Sequence, residues 1–249
     1  MSRLALALGA TALTLSLALA SHAALAQDTP DGQWHGGLSI SGALASGNSS
    51  SRTLAVNADA SRTTVQDKIS LNGLANYGRN KVDSVDTTTA DLLRLGGRYD
   101  FNLGEQWFSF GGAEGETNKA GGVRDRYSFN GGVGYHLLKD DTNSWDVFGG
   151  LGYTDTRYTD GSKANGAQML LGEESSHKLS ETTTLKQRLV YYPDGGELGN
   201  RATFDAGLAT RIAGGWTLNV GLSSRYASHV PAGTNKTDNL LTVGFGYKF

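Results

Sequence analysis

The sequence predicts an all-β fold, a transmembrane antiparallel β-barrel of about twelve strands, and three observations carry the prediction. The closing segment, residues 239–249, alternates Leu241, Val243, Phe245, Tyr247 and Phe249 with Thr242, Gly244, Gly246 and Lys248, and stops on the aromatic side chain. Such a strand has one apolar face and one small or polar face. Beyond residue 26 no apolar run approaches the roughly 20 residues that a membrane-spanning helix needs. Instead, period-two alternation recurs from residue 33 to the end with turn residues between the segments, the pattern of barrel strands.

The first 26 residues read as a cleaved secretory signal. Arg3 gives a positive start, residues 4–20 are an apolar stretch of Leu, Ala and Thr, and Ala24, Leu25 and Ala26 form a small-x-small cleavage pattern. Residues 27–249 are then the barrel domain, exported through the inner membrane and expected in the outer membrane. Thirty-five glycines against three prolines suit a sheet, which tolerates Gly at close approaches and excludes Pro from its ladders. The absence of Cys removes disulfides and thiol chemistry. Net charge is −2 for the whole chain, and removing Arg3 leaves 21 basic against 24 acidic side chains. Without a basic stripe, nucleic acid is not an expected partner. A mean hydropathy of −0.33 is compatible with a barrel, whose strands average lipid-facing and lumen-facing residues.

Taken in order, the predicted strands are residues 33–46, 51–64, 68–79, 87–101, 106–118, 124–138, 144–158, 167–179, 183–192, 199–212, 216–228 and 239–249. The first places Trp34, Leu38, Ile40 and Leu44 outward and Ser39 and Ser41 inward; the second turns Leu54 and Val56 out and Asn57 and Asp59 in. In the third, Ile69, Leu71 and Tyr77 oppose Lys68, Asn72 and Asn76, and a polar loop is expected through residue 86. The fourth sets Leu93, Leu95, Tyr99 and Phe101 against Arg94, Arg98 and Asp100. The fifth fits least, because Phe108 and Phe110 share parity with Glu114 and Glu116; a bulge near Gly111 and Gly112 would flip the register and bring the glutamates inward. The sixth restores order with Tyr127, Phe129, Val133 and Tyr135 outward, and the seventh carries Trp145, Val147, Leu151 and Tyr153 on one side. The eighth is ambiguous around Met169 and Leu171. The ninth to eleventh set Leu185, Phe204 and Leu218, with their parity mates, against Lys186, Arg201 and Asn219. Short turns near residues 65, 103, 141, 181 and 213 alternate with polar loops that are often longer. Aromatic residues cluster at strand ends, as interfacial girdles do. Residues 131–135, 149–153 and 243–247 are near copies, a Gly-rich strand device that repeats.

The leader, the Ser-Gly-Asn-Ser-Ser hairpin at residues 46–50, the Gly-Gly strands and the Tyr247-Lys248-Phe249 ending together resemble the YdiY-like family of salt-induced outer-membrane proteins. The resemblance covers most of residues 27–249. It implies an integral outer-membrane barrel linked to salt or osmotic stress, and it supplies no catalytic residue.

On this register ten basic side chains face inward: Lys68, Arg94, Arg98, Arg126, Lys186, Arg188, Arg201, Arg211, Arg225 and Lys248. Asp59, Asp100, Asp146 and Asp205 share that face, joined by Glu114 and Glu116 if the bulge exists. An inward location is required because a lipid-facing Arg at the bilayer midplane costs about 2–4 kcal/mol. Two readings follow: a small passive, porin-like pore whose basic wall favours anions, or a structural envelope component whose Arg–carboxylate network fills the barrel. The expected partners are outer-membrane lipid, small anionic solutes, and a barrel-assembly machinery that reads Phe245, Tyr247 and Phe249. No metal or cofactor is expected. The competing class is an outer-membrane barrel enzyme, a lipid or peptide hydrolase. His35, His136 and His177 fall near short turns, leaving His229, beside Ser228 and near Asp238, as its candidate; no Gly-x-Ser-x-Gly or His-Glu-x-x-His motif is present.

Overall fold

The structure, a computed structural model, describes residues 30–45, 49–82, 85–193, 196, 198–228 and 236–249. The expected leader, residues 1–26, the start of the 46–50 hairpin and His229 lie outside these. Twelve strands form: β1 (Trp34–Ala45), β2 (Ser49–Thr63), β3 (Asp67–Val82), β4 (Val85–Asn102), β5 (Trp107–Asn118), β6 (Val123–Lys139), β7 (Asn143–Tyr158), β8 (Lys163–Lys178), β9 (Thr183–Tyr192), β10 (Arg201–Ala213), β11 (Trp216–Ala227) and β12 (Thr237–Lys248). Each pairs antiparallel with its sequence neighbours, and β12 pairs with β1 to close a barrel. At that closing seam residues 37–41 face residues 244–248, whereas β11 and β12 are in register over residues 216–226 and 237–247.

Closure explains why the chain tolerates an apolar exterior and a polar interior. Every strand edge is consumed by a neighbour, so the backbone can lie in hydrocarbon with its N–H and C=O groups satisfied. The outward positions carry exposed apolar side chains, among them Leu38, Ile40, Leu71, Leu95, Phe129, Val133, Leu151, Leu171, Leu241, Val243 and Phe245. Trp34, Trp107, Trp145, Trp216, Tyr247 and Phe249 ring the short-turn end on the same face. Two of the tryptophans pack edge-to-face across a strand pair, Trp107 on Tyr135 at 5.0 Å and Trp216 on Tyr247 at 5.5 Å between centroids.

Three strand expectations are corrected. No bulge occurs at Gly111 and Gly112: β5 keeps one register against β4 throughout, and its shift against β6 comes later, between Glu116 and Asn118. The glutamates face inward because Phe108 and Phe110 do too, while Ser109, Gly111, Ala113 and Gly115 occupy the outward positions. β8 begins at Lys163 rather than residue 167, because Asp160 caps the preceding turn through Ser162, Gly161 takes φ 89°, and pairing resumes at once as Arg157 against Lys163. The polar stretch after residue 79 is mostly strand, with β3 running to Val82 and β4 starting at Val85.

The repeated Gly-rich segments have a packing reason. Their inward glycines leave room where aromatic rings or a neighbouring backbone come close. A Cβ on Gly134 would lie 2.1 Å from the Phe108 ring, and one on Gly132 would lie 2.1 Å from the Gly149 carbonyl. Seats of this kind let Phe108, Phe110, Phe148, Leu170 and Val190 form a buried apolar cluster inside the barrel, against the β5–β9 wall, with Tyr192 packed on it.

Candidate functional site

The lumen is built in two charged levels. At the level nearer the short turns, Arg98 on β4 donates from Nε to Asp100 at 2.7 Å and reaches Glu174 on β8 at 3.8 Å. Arg188 on β9 donates to the same Glu174 at 2.7 Å. Because β5, β6 and β7 intervene between β4 and β8, the Arg98–Glu174 contact crosses the lumen. It lies above the aromatic cluster: the Arg98 guanidinium is 4.5 Å from the Phe110 centroid and 5.0 Å from that of Phe148, and Arg188 is 5.1 Å from Phe148. Cation–π contacts and carboxylates together hold the two guanidinium groups in place. Beneath them His136 is held at 2.6 Å from Asp146 and stacks on Phe108 at 4.8 Å.

At the level nearer the long loops, Glu116 on β5 is buried between two arginines. It accepts from Arg94 on β4, at 2.8 Å from Nε, and from Arg126 on β6 at 3.4 Å. Arg94 also lies 3.7 Å from Glu114, and Arg126 donates to Thr156 at 3.1 Å. On the facing wall Arg225 donates through both terminal nitrogens to Asp205, at 2.8 and 2.9 Å, and Ser223 adds a third bond. The two walls act on each other electrostatically, Asp205 on Arg94 and Arg225 on Glu116. Arg201 donates to Gln168 and lies over the Tyr192 ring at 4.8 Å.

The other expected basic residues are placed differently. Lys68 stands opposite Asp100 in the β3–β4 register, Lys186 faces inward on β9, and Lys248 senses the charge of Asp59. Arg211 is exposed at a short-turn rim and donates to the Glu181 carbonyl at 3.1 Å. Ser39, Ser41, Asn57, Ser61, Asn76 and Thr217 line the wall from β11 through β3 with small polar groups. The charged levels remain open to solvent in part: side-chain exposure is 40% for Glu114, 33% for Arg188 and 32% for Glu174.

Glu174, Phe148, Gln168 and Tyr192 were missed by sequence reading. A usable signal existed for Glu174, which stands directly opposite Arg188 in the β8–β9 register. Glu173 points to the opposite face, where Trp145 Nε1 donates to it at 2.9 Å; among the described residues no group of three His or acidic residues could hold a metal ion. His35, His136 and His177 each pair near a short turn, with Asp31, Asp146 and Asn143. The hydrolase candidate His229 lies outside the described residues, and the backbone amide of Ser228 donates to the Asn200 carbonyl.

A closed antiparallel barrel with an apolar belt outside and charged levels inside is a transmembrane β-barrel. Within that class, the chain belongs to the family described as protein of unknown function, DUF481, which matches residues 38–249. No curated protein matches the sequence. Among solved structures, it resembles the COG4313 outer membrane channel from Pseudomonas putida F1, at 12% identity, with 90% of this chain and 98% of that chain covered and a TM-score of 0.54. The NanC porin is similar at 11% identity over 86% and 100% of the two chains, TM-score 0.50. The translocator domain of autotransporter NalP from Neisseria meningitidis is matched at 15% identity over 87% of each, TM-score 0.46. The likeness to the first two is one of fold.

Proposed function

We propose that the protein is a small passive pore of the outer membrane with a charged constriction, passing small anionic solutes. The observation that carries this reading is the exposure of Glu114, Arg188 and Glu174 inside a closed barrel. Charges that filled a plug would be dry, whereas these three side chains keep 32–40% of their surface accessible. The two fold relatives named as a channel and a porin support the same reading at the level of architecture. The salt or osmotic link is carried by the family resemblance alone, and residence in the outer membrane by the barrel fold together with the expected export signal. A second reading is favoured by the cross-lumen Arg98–Glu174 contact: a structural envelope barrel braced from within.

Planar bilayers separate the two. A pore gives discrete conductance steps, and its ion preference follows from the pairing described above. Arg94 is matched by Glu114 and Glu116, and Arg98 by Asp100 and Glu174. Removing either guanidinium leaves carboxylates uncompensated at its own level of the lumen, so Arg94→Ala and Arg98→Ala are expected to move the reversal potential toward cations. Silence over many insertions of correctly folded protein would sink the pore and leave the structural reading.

A further inference from the structure

Near the long-loop end of the lumen, Gln168 and Arg201 each bury a donor that has no acceptor among the described residues. Gln168 on β8 accepts at Oε1 from Arg201 Nη2 on β10 at 2.5 Å, and its amide nitrogen has no hydrogen-bond partner among the described residues. Arg201 Nε is also buried without one. Buried donors in folded proteins are nearly always paired, so a pair of them side by side calls for an explanation. Their surroundings supply one. The Arg201 guanidinium is fixed over the Tyr192 ring, and Arg126, a like charge, acts on it while spending its own bonds on Glu116 and Thr156. Apolar groups bound the spot on two sides. Leu198, in the β9–β10 connection, is buried with Cδ1 3.5 Å from where a Cβ on Gly166 would sit, one inward position from Gln168. On the other side is the apolar cluster of Leu170 and Val190, on which Tyr192 packs.

We infer that Arg201, Gln168 and Tyr192 form a binding subsite for the carboxylate of a small organic anion with a ring-shaped or apolar body. The carboxylate accepts from Arg201 Nε and Gln168 Nε2, supplying the acceptor that both lack and offsetting the repulsion from Arg126. The body lies against Tyr192 and Leu198. A monatomic anion satisfies the charge and leaves the ring and leucine unused, so the arrangement selects organic carboxylates over chloride. The inference deepens the pore reading, on which it rests for solute access to the lumen.

Titration calorimetry of the detergent-solubilised full chain with benzoate, and with benzamide as its neutral counterpart, tests the subsite. Saturable benzoate binding is expected, with benzamide much weaker. Arg201→Gln and Gln168→Leu are each expected to weaken benzoate by about tenfold or more, the scale for losing one partner of a charge-assisted bond. Heat-modifiable migration confirms that each variant is folded; should Arg201→Gln fail that check, Gln168→Leu, which keeps the charge and removes only the amide, carries the test. No saturable binding to the unsubstituted protein, equal binding of the two probes, or unchanged affinity in the folded variants would overturn the subsite. Because binding is read without a membrane, silent bilayers with intact benzoate binding remove the pore and keep the subsite. Conducting channels without benzoate binding do the reverse.

Discussion

At the scale of single residues, the interior is organised by missing side chains as much as by present ones. Gly134 and Gly172 are flat seats for the rings of Phe108 and Phe148, whose carbons would lie 2.1 and 2.5 Å from an added Cβ. The rings in turn support Arg98 and Arg188, so the position of the cationic groups depends on two glycines that carry no chemistry. Gly134→Val is expected to evict Phe108, break its stack on His136, and destabilise the barrel by about 1–3 kcal/mol, the usual cost of overpacking. A lowered urea midpoint in lipid vesicles measures it; an unchanged midpoint would mean that the ring has somewhere else to go.

At the scale of elements, the β6–β7 turn shows how a polar connection is held. Asp140 accepts from the Thr142 amide at 2.8 Å, the Thr142 hydroxyl at 2.8 Å and the Asn143 amide at 2.7 Å. These bonds favour the carboxylate and pull its pKa from 3.8 down to about 2, the Thr142 amide contributing most. A depressed folded value means that the turn is fully stabilised above about pH 4 and loses that support as pH falls from 3.8 through 2. Protection of the Thr142 and Asn143 amides, their exchange relative to an unstructured peptide at the same pH, is expected to fall across that window and to be low at every pH in Asp140→Ala. Protection that stays constant in the unsubstituted protein would contradict the assignment.

Strand elements also show what could be read in advance. β1, β4, β6 and β12 were legible because outward apolar residues alternate with polar ones, and period two assigns both faces at once. β5 defeated the same rule. Its two faces are distinguishable in sequence, but which one meets lipid is decided by neighbours: the glycines of β6 and β8 accept inward rings, and the outward Ser109, Gly111, Ala113 and Gly115 leave the belt to flanking strands. The inward parity of Arg94, Arg98, Arg126, Arg188, Arg201 and Arg225 was readable for the same reason that β4 was. Asp100 and Asp205 were readable with them, but the contact of Arg98 with Glu174 was not, because it joins strands across the lumen 76 residues apart in the chain, the difference between positions 98 and 174. Such proximity is set by barrel closure and leaves no local trace.

At the scale of the whole molecule, closure depends on the chain's last residues. Phe249 is 70% exposed on the lipid side, its amide and carbonyl both bond to Gly36 on β1, and its ring lies over that glycine. Deleting Phe249 is expected to cut the yield of heat-modifiable barrel in the outer membrane severalfold by removing both seam bonds to Gly36 and the ring that covers it; a normal yield would count against that role.

The contact between Arg98 and Glu174 behaves as a spoke across a ring. Squeezing the cross-section along the chord from β4 to β8 must compress an ion pair backed by packed aromatic rings, so that chord is expected to resist. Ovalisation therefore turns to the wall of Ser, Thr and Asn side chains, where the β12–β1 seam lies. A change of lateral pressure in the bilayer is therefore expected to be taken up at the β12–β1 join before it reaches the charged levels, and spin labels across that join measure it.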